Sequence, residues 1–182
     1  MSNINVAIIG VGNCASSLVQ GVAKYNKTTK DENIPGLMHP ILGEYGIGDI
    51  NFVAAFDIDT NKDGKDLSEA IFTKPNNTMK FQDVPKLGVK VDRGMTHDGI
   101  GKYLSDVIEK APGQTADIAA ILKEREVDVV INYLPVGSEE ATKWYVEQIL
   151  SAGCGLINCI PVFIAKEDYW QKRFKEKGLP VI

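Results

Sequence analysis

The sequence predicts an α/β protein built on a doubly wound, mostly parallel sheet, and three observations carry that expectation. Short apolar runs rich in β-branched residues alternate with stretches of helical periodicity. The connections between successive runs are long enough to hold a helix, as parallel strands require. The first run also ends in a glycine turn that opens directly into a helix.

Residues 4–10 (INVAIIG) are nearly continuous in apolar character, the pattern of a strand covered on both faces. After the glycine turn, Leu18, Val19, Val22 and Ala23 recur at helical spacing and give the first helix one apolar face. The next strand is expected at residues 52–59 (FVAAFDID). Between them, turn formers and weak periodicity predict an insertion after the first helix, at about residues 26–50, forming a flap or loop with a short helical turn. A second irregular stretch covers about residues 74–99, with Pro75, Pro85, Gly88, Gly94 and Gly99. It either borders a site or is a plain surface excursion.

Regular structure resumes with an amphipathic helix at 116–126 and a buried strand at 127–134. A helix then runs from an N-cap at Ser138, with Glu139 and Glu140 in its first turn, to Ala152, and stops at Gly153. A strand at 154–160, a helix at 166–177 closed by Gly178, and the start of a further strand at 179–182 follow. Residues 1–182 read as one domain.

With 44% hydrophobic and 24% charged residues in 182, the chain can bury a core and is not a disordered polymer. Its 20 basic residues are scattered among 24 acidic ones, for a net charge of −4, which excludes a broad nucleic-acid surface. The densest basic run, residues 170–178 (WQKRFKEKG), is a solvated helix face. No run is long enough to span a membrane and no charged segment precedes an apolar leader, so no membrane association and a cytoplasmic location are expected. Three cysteines, Cys14, Cys154 and Cys159, suit reduced thiols rather than a disulfide framework. His39 and His97 stand alone, and no metal site is expected.

Residues 10–15 (GVGNCA) fit the pattern G-x-G-x-x-G/A, with Gly10, Gly12 and Ala15 at the small positions. Gly10 permits a tight turn, Gly12 lets the backbone approach a pyrophosphate, and Ala15 keeps the helix close to the strand. The N–H groups of Asn13 and Cys14 would then face phosphate charge at a helix N-terminus. An ordinary strand-to-helix turn can use the same small residues, but the strand before and the helix after favour a Rossmann NAD(P)-binding fold. Cys14 is either an acidified thiol at that terminus or a small residue that fits the loop.

A ribose-binding acid is expected at the end of the next strand, ordinarily about 20 residues on. Here the insertion delays it to Asp57, with Asp59 as the competing candidate. A carboxylate there accepts hydrogen bonds from a ribose diol and repels a 2′-phosphate, which favours NAD over NADP. Ligands in open α/β sheets sit beyond the strand ends, which points to Asn132, Leu134, Pro135 and Val136, and at the next strand end to Asn158 and Pro161. Punctuation of a strand–loop–helix passage by Pro and Gly accounts for the same residues without a ligand.

At residues 10–21 (GVGNCASSLVQG), 56–59 (FDID), 93–104 (RGMTHDGIGKYL), 132–145 (NYLPVGSEEATKWY) and 158–165 (NCIPVFIA), the chain resembles myo-inositol-1-phosphate synthase, also called inositol-3-phosphate synthase, of the bacterial and archaeal type. The blocks around Pro135 and Pro161 are far more specific than the glycine motif. The resemblance implies an NAD-dependent isomerase of inositol biosynthesis that converts glucose 6-phosphate to 1L-myo-inositol 1-phosphate. In that family NAD takes a hydride from C5, enolisation and aldol closure follow, and the same NADH reduces the ring ketone. By the same resemblance Gly10, Gly12, Asn13, Cys14 and Ala15 cradle the pyrophosphate and Asp57 holds the adenosine ribose. The stretch from Asn132 to Val136, with Asn158 and Pro161, lines the nicotinamide side.

Chains of the family continue into a Gly-Asp-Asp-x-Lys-Ser segment and a second domain that supplies the catalytic lysines, most of the sugar-phosphate site and the tetramer contacts. The resemblance therefore implies a cofactor-binding part without assignable catalytic residues, inactive by itself and tetrameric when full length. Another NAD-linked oxidoreductase, or a stand-alone NAD-binding regulatory module, would share the same fold.

Overall fold

A computed structural model describes residues 3–29 and 32–182. The elements are β1 (Ile4–Ile9), α1 (Asn13–Tyr25), β2 (Ile41–Leu42), β3 (Tyr45–Gly46), β4 (Ile50–Asp57), α2 (Leu67–Ala70), β5 (Val91–Arg93), α3 (Ile118–Glu124), β6 (Val129–Asn132), α4 (Glu139–Ala152), β7 (Gly155–Asn158) and α5 (Asp168–Glu176). Five strands form one sheet in the order β5-β4-β1-β6-β7, and every neighbouring pair is parallel. The order reverses at β1, so the ends of β1, β4 and β6 open on one crevice, where open sheets of this kind take ligands.

The apolar run of β1 is long because both its faces are covered. Val6 and Ile8 pack under α1 and α2 with Ala15, Val19, Leu67 and Ile71. Ala7 and Ile9 face the opposite layer, with Phe56, Leu122, Tyr145 and Ile149. Of the expected α1 face, Val19 is buried and Leu18 and Val22 pack partly against the same cluster, while Ser16 and Gln20 add two buried polar residues; α4 buries Ala141, Tyr145 and Ile149. Past β7, Val181 bridges Leu156 in parallel where a further strand was expected to start.

The second half of the insertion holds a hairpin of β2 and β3 followed by a 3-10 turn at Ile47–Asp49, which is the short helical turn expected there. Lys30 and Asp31, inside the expected insertion, lie outside the described residues. After it, β4 starts at Ile50, two residues earlier than the apolar pattern indicated. The stretch at 74–99 was expected to be irregular, yet it contains β5. An edge strand of three residues that carries Asp92 and Arg93 leaves no apolar run to read.

The rest of that stretch is fastened along α1 by polar side chains. Asn13 Oδ1 accepts from the backbone N–H groups of Asn77 and Thr78, and Gln20 Oε1 accepts from those of Phe81 and Gln82. These bonds replace the regular ladder that the sequence there does not support.

At the end of α4, Gly153 adopts a left-handed conformation (φ 84°), and its N–H reaches back to Ile149 and Leu150. Nothing stands within 4 Å of where a Cβ would point. Gly153→Ala should therefore lower unfolding free energy by about 1–2 kcal/mol through backbone strain alone. Denaturant melts check this, with an unchanged m-value expected.

Candidate functional site

The glycine loop passes directly over the end of β6. Gly10 has φ 87°, and a Cβ on it would lie 2.7 Å from the carbonyl oxygen of Tyr133. Gly12, in an extended conformation, heads α1 with no side-chain cap and no acidic residue in the first turn. A Cβ on Gly12 would meet nothing within 4 Å, so the space above the loop is open. The first N–H groups of a helix lack intrahelical partners and carry the positive end of its dipole. Here no carboxylate competes for them, and the terminus can seat an anion.

Val11 is held on both sides. Its N–H donates to Asp57 Oδ2 at 2.7 Å, and its carbonyl accepts from Asn76 Nδ2 at 3.0 Å. Asp57 Oδ1 in turn accepts from the N–H groups of Ile58 and Asp59. Asn76 Oδ1 accepts from Lys62 Nζ at 3.2 Å, and that ammonium lies 3.8 Å from Asp57 Oδ2 and 4.0 Å from Asp59 Oδ2. Asp59 is fully buried, with Oδ1 taken by the backbone and side chain of Asn61. Of the two acids weighed from the sequence, Asp57 faces the open space and Asp59 is folded into the turn.

Asp57, Lys62 and Asn76 line a cavity of about 360 Å³. Six of the residues expected from the sequence line it: Gly10, Gly12, Asn13, Asp57, Leu134 and Pro135. Ile58, Leu104, Val107 and Ile108 give it an apolar wall beside Asp57. The other six lie off its lining. Ala15 is buried against the sheet, while Cys14, Val136 and Pro161 are exposed. Asn132 and Asn158 pair across β6 and β7, Nδ2 to Oδ1 at 2.9 Å. Their remaining bonds, from Leu134 N–H to Asn132 and from Asn158 to the carbonyls of Ile160 and Val162, shape the two loops.

The segment after β5 crosses the crevice to α4. Gly94 N–H donates to the Asp57 carbonyl, and Met95 N–H donates to the Tyr145 hydroxyl at 2.8 Å. Burial holds that hydroxyl well above its usual pKa, so it stays neutral. Asp98 then caps α4, accepting from Glu140 N–H at 2.8 Å and Ala141 N–H at 3.0 Å. Ser138 occupies the N-cap position expected for it, but its side chain makes no capping bond. A carboxylate supplied from 40 residues upstream takes its place.

Sequence reasoning did not find Lys62, Asn76, Asp98 or Tyr145. None belongs to a spacing rule, and each reaches its partner only through the crossing of two distant segments. Among the described residues no cluster of His, Cys, Asp and Glu could hold a metal ion, and no helix is long and apolar enough to cross a membrane.

No protein-family model matches the chain. The inositol-3-phosphate synthase of Mycolicibacterium smegmatis is 54% identical over 179 residues, covering 98% of this chain and 49% of that protein. The chain is homologous to about half of an inositol-3-phosphate synthase. It spans about half the length of the curated relatives it matches. Among solved structures, Ari2 superposes with a TM-score of 0.84 at 30% identity, over 100% of this chain and 54% of Ari2. A myo-inositol-1-phosphate synthase-related protein from Thermotoga maritima shares the fold, with a TM-score of 0.72 at 24% identity over 98% of this chain and 53% of its own. The synthase relatives and the crevice geometry thus meet on one Rossmann-like fold.

Burial works to raise the Asp98 pKa, but hydrogen bonds from the backbone of Ala141, Glu140, Asp98 and Glu139 outweigh it and hold the carboxyl below its usual value. A depressed folded pKa stabilises above the unfolded value, about 3.9, and that stabilisation is lost as pH falls through the folded pKa. Asp98→Ala should therefore cost about 0.5–2 kcal/mol at neutral pH. The gap to the parent protein should shrink below about pH 4, as read from thermal melts across that range.

Proposed function

We propose that this chain is the NAD-binding part of an inositol-3-phosphate synthase, an isomerase that turns D-glucose 6-phosphate into 1L-myo-inositol 1-phosphate and assembles as a homotetramer. The observation that carries this reading is convergence. In a chain 54% identical to a named synthase, the glycine loop, Asp57 and the Leu134–Pro135 strand end line one cavity.

The residues present fit a dinucleotide. The pyrophosphate sits over Gly12, against the N–H groups of Asn13 and Cys14, where no Cβ and no acid intrudes. Ala15 lets α1 approach the sheet closely enough to aim those groups. Asp57 receives the adenosine ribose, and Ile58 with Leu104 and Val107 gives the base an apolar wall. The volume of about 360 Å³ falls in the range of small-molecule sites. Toward the nicotinamide, Leu134 and Pro135 form one side, and Asn132 and Asn158 set the loops that carry Val136 and Pro161.

When bound, NAD accepts a hydride from the sugar and gives it back, so the overall reaction is an isomerisation. This chain's part is to hold and orient the dinucleotide and to keep water from its buried end. The residues that move protons and close the ring belong, on this reading, to the half of the synthase that this chain does not match.

Calorimetric titration should show saturable binding of NAD, and weaker binding of NADP because Asp57 repels a 2′-phosphate; a preference for NADP would sink that assignment. Two glycine variants separate fold from site. Gly12→Val should melt near the parent protein yet lose NAD binding. Gly10→Ala should lose at least about 1–2 kcal/mol of stability, from its left-handed backbone and its contact with Tyr133. Full-length protein given glucose 6-phosphate and NAD should release inositol phosphate without accumulating NADH. Steady NADH production would mark a simple dehydrogenase instead.

A further inference from the structure

Lys62 has no assigned part in this site, and its surroundings leave it incompletely used. The residue is 3% exposed, and its side chain is all but out of water. An ammonium has three donors. Among the described residues one is spent, on Asn76 Oδ1 at 3.2 Å. The two carboxylates nearby, Asp57 Oδ2 at 3.8 Å and Asp59 Oδ2 at 4.0 Å, stand beyond hydrogen-bond reach. A buried cation with unspent donors is costly, and such sites are normally completed by a partner.

Asp57 is short of one partner in the complementary sense. A carboxylate offers about four lone-pair positions. Oδ1 accepts two backbone N–H groups, from Ile58 and Asp59, and Oδ2 accepts one, from Val11. One position on Oδ2 remains, and it belongs to the oxygen nearest Lys62. Both side chains line the cavity, beside the apolar wall of Ile58. A group that fits between them must donate to the carboxylate and accept from the ammonium at once. An alcohol does both. Inorganic phosphate does not, because its charge meets Asp57, and a second ammonium does not, because its charge meets Lys62.

We propose that Lys62 is a specificity-determining residue for the adenosine end of the cofactor, gripping one ribose hydroxyl jointly with Asp57. The hydroxyl proton points at Asp57 Oδ2 and the hydroxyl oxygen takes a proton donor of Lys62. The same ammonium holds Asn76, which holds the carbonyl of Val11, so ribose recognition is mechanically joined to the loop that seats the pyrophosphate. A 2′-phosphate at this end would set its charge against Asp57, so the carboxylate selects NAD over NADP while Lys62 selects for the free hydroxyl. This inference rests on the dinucleotide reading of the cavity.

The test compares NAD with analogues whose adenosine lacks the 2′- or the 3′-hydroxyl, on the parent protein and on Lys62→Met and Lys62→Gln. Failure of the parent to bind NAD overturns the site reading itself, and the Lys62 proposal with it. With binding established, one of the two deoxy analogues should bind the parent roughly tenfold to a hundredfold more weakly than NAD. In either Lys62 variant that penalty should shrink by about tenfold, while NAD itself weakens.

Equal affinity of the parent for NAD and both analogues would overturn the proposal, since water then serves as well as the hydroxyl. So would a variant that weakens all three ligands by the same factor, because Lys62 would then act only through the fold. Should neither variant melt cooperatively, the parent protein with carbon-labelled lysines decides. The Lys62 Cε signal should move on adding NAD and stay in place with an analogue lacking both hydroxyls. The same movement with both ligands would contradict the joint grip.

Discussion

The site depends on the way Val11 is held. A glycine-rich turn is inherently loose, because glycine gives up more conformational freedom on ordering than any other residue. In this protein the residue between the two glycines has both its backbone groups bonded to side chains from elsewhere, the N–H by Asp57 and the carbonyl by Asn76. The turn is thereby fixed before any ligand arrives, and the helix terminus behind it is aimed rather than sampled. Pre-organisation of this kind reduces the ordering that binding would otherwise require.

That grip is possible because of where the sheet puts its strand ends. β1 lies centrally, between β4 and β6, so the last residue of β4 and the residues after β6 reach the loop from opposite sides. Asp57 comes from the first and the Tyr133 carbonyl that demands a glycine at position 10 comes from the second. Long-range polar contacts then do for the irregular segments what apolar faces do for the helices. Asn13 and Gln20 bind one excursion along α1, and Asp98 closes another over the N-terminus of α4. Each contact satisfies buried or terminal backbone groups that would otherwise be stranded away from water.

Much of this was legible in the sequence, and the reasons are physical. The central strands and α1, α4 and α5 follow from apolar periodicity, which burial enforces and which survives in one dimension. The glycine loop was readable because each position answers a steric demand. Asp57 was favoured past the insertion because it ends a strand, with Asp59 the competing candidate; in the fold Asp57 lines the cavity and Asp59 is buried. What could not be read depends on where two remote segments cross. β5 is too short and too charged at Asp92 and Arg93 to announce itself. Asn76 and Asp98 are ordinary polar residues in stretches of weak pattern, and only the fold brings them to Val11 and to α4. Asn132 and Asn158 sat at the right strand ends, but their side chains face each other and shape the loops beyond.

The backbone of the loop and the N-terminus of α1 are the proposed seat of the dinucleotide. Titrating the amide-labelled protein with NAD, followed by NMR, tests this residue by residue. The Gly12, Asn13 and Cys14 amides should shift saturably, together with those of Ile58 and Leu134 around the same cavity, at one common affinity. Shifts confined to other surfaces, with the loop amides unmoved at saturating NAD, would contradict that seat.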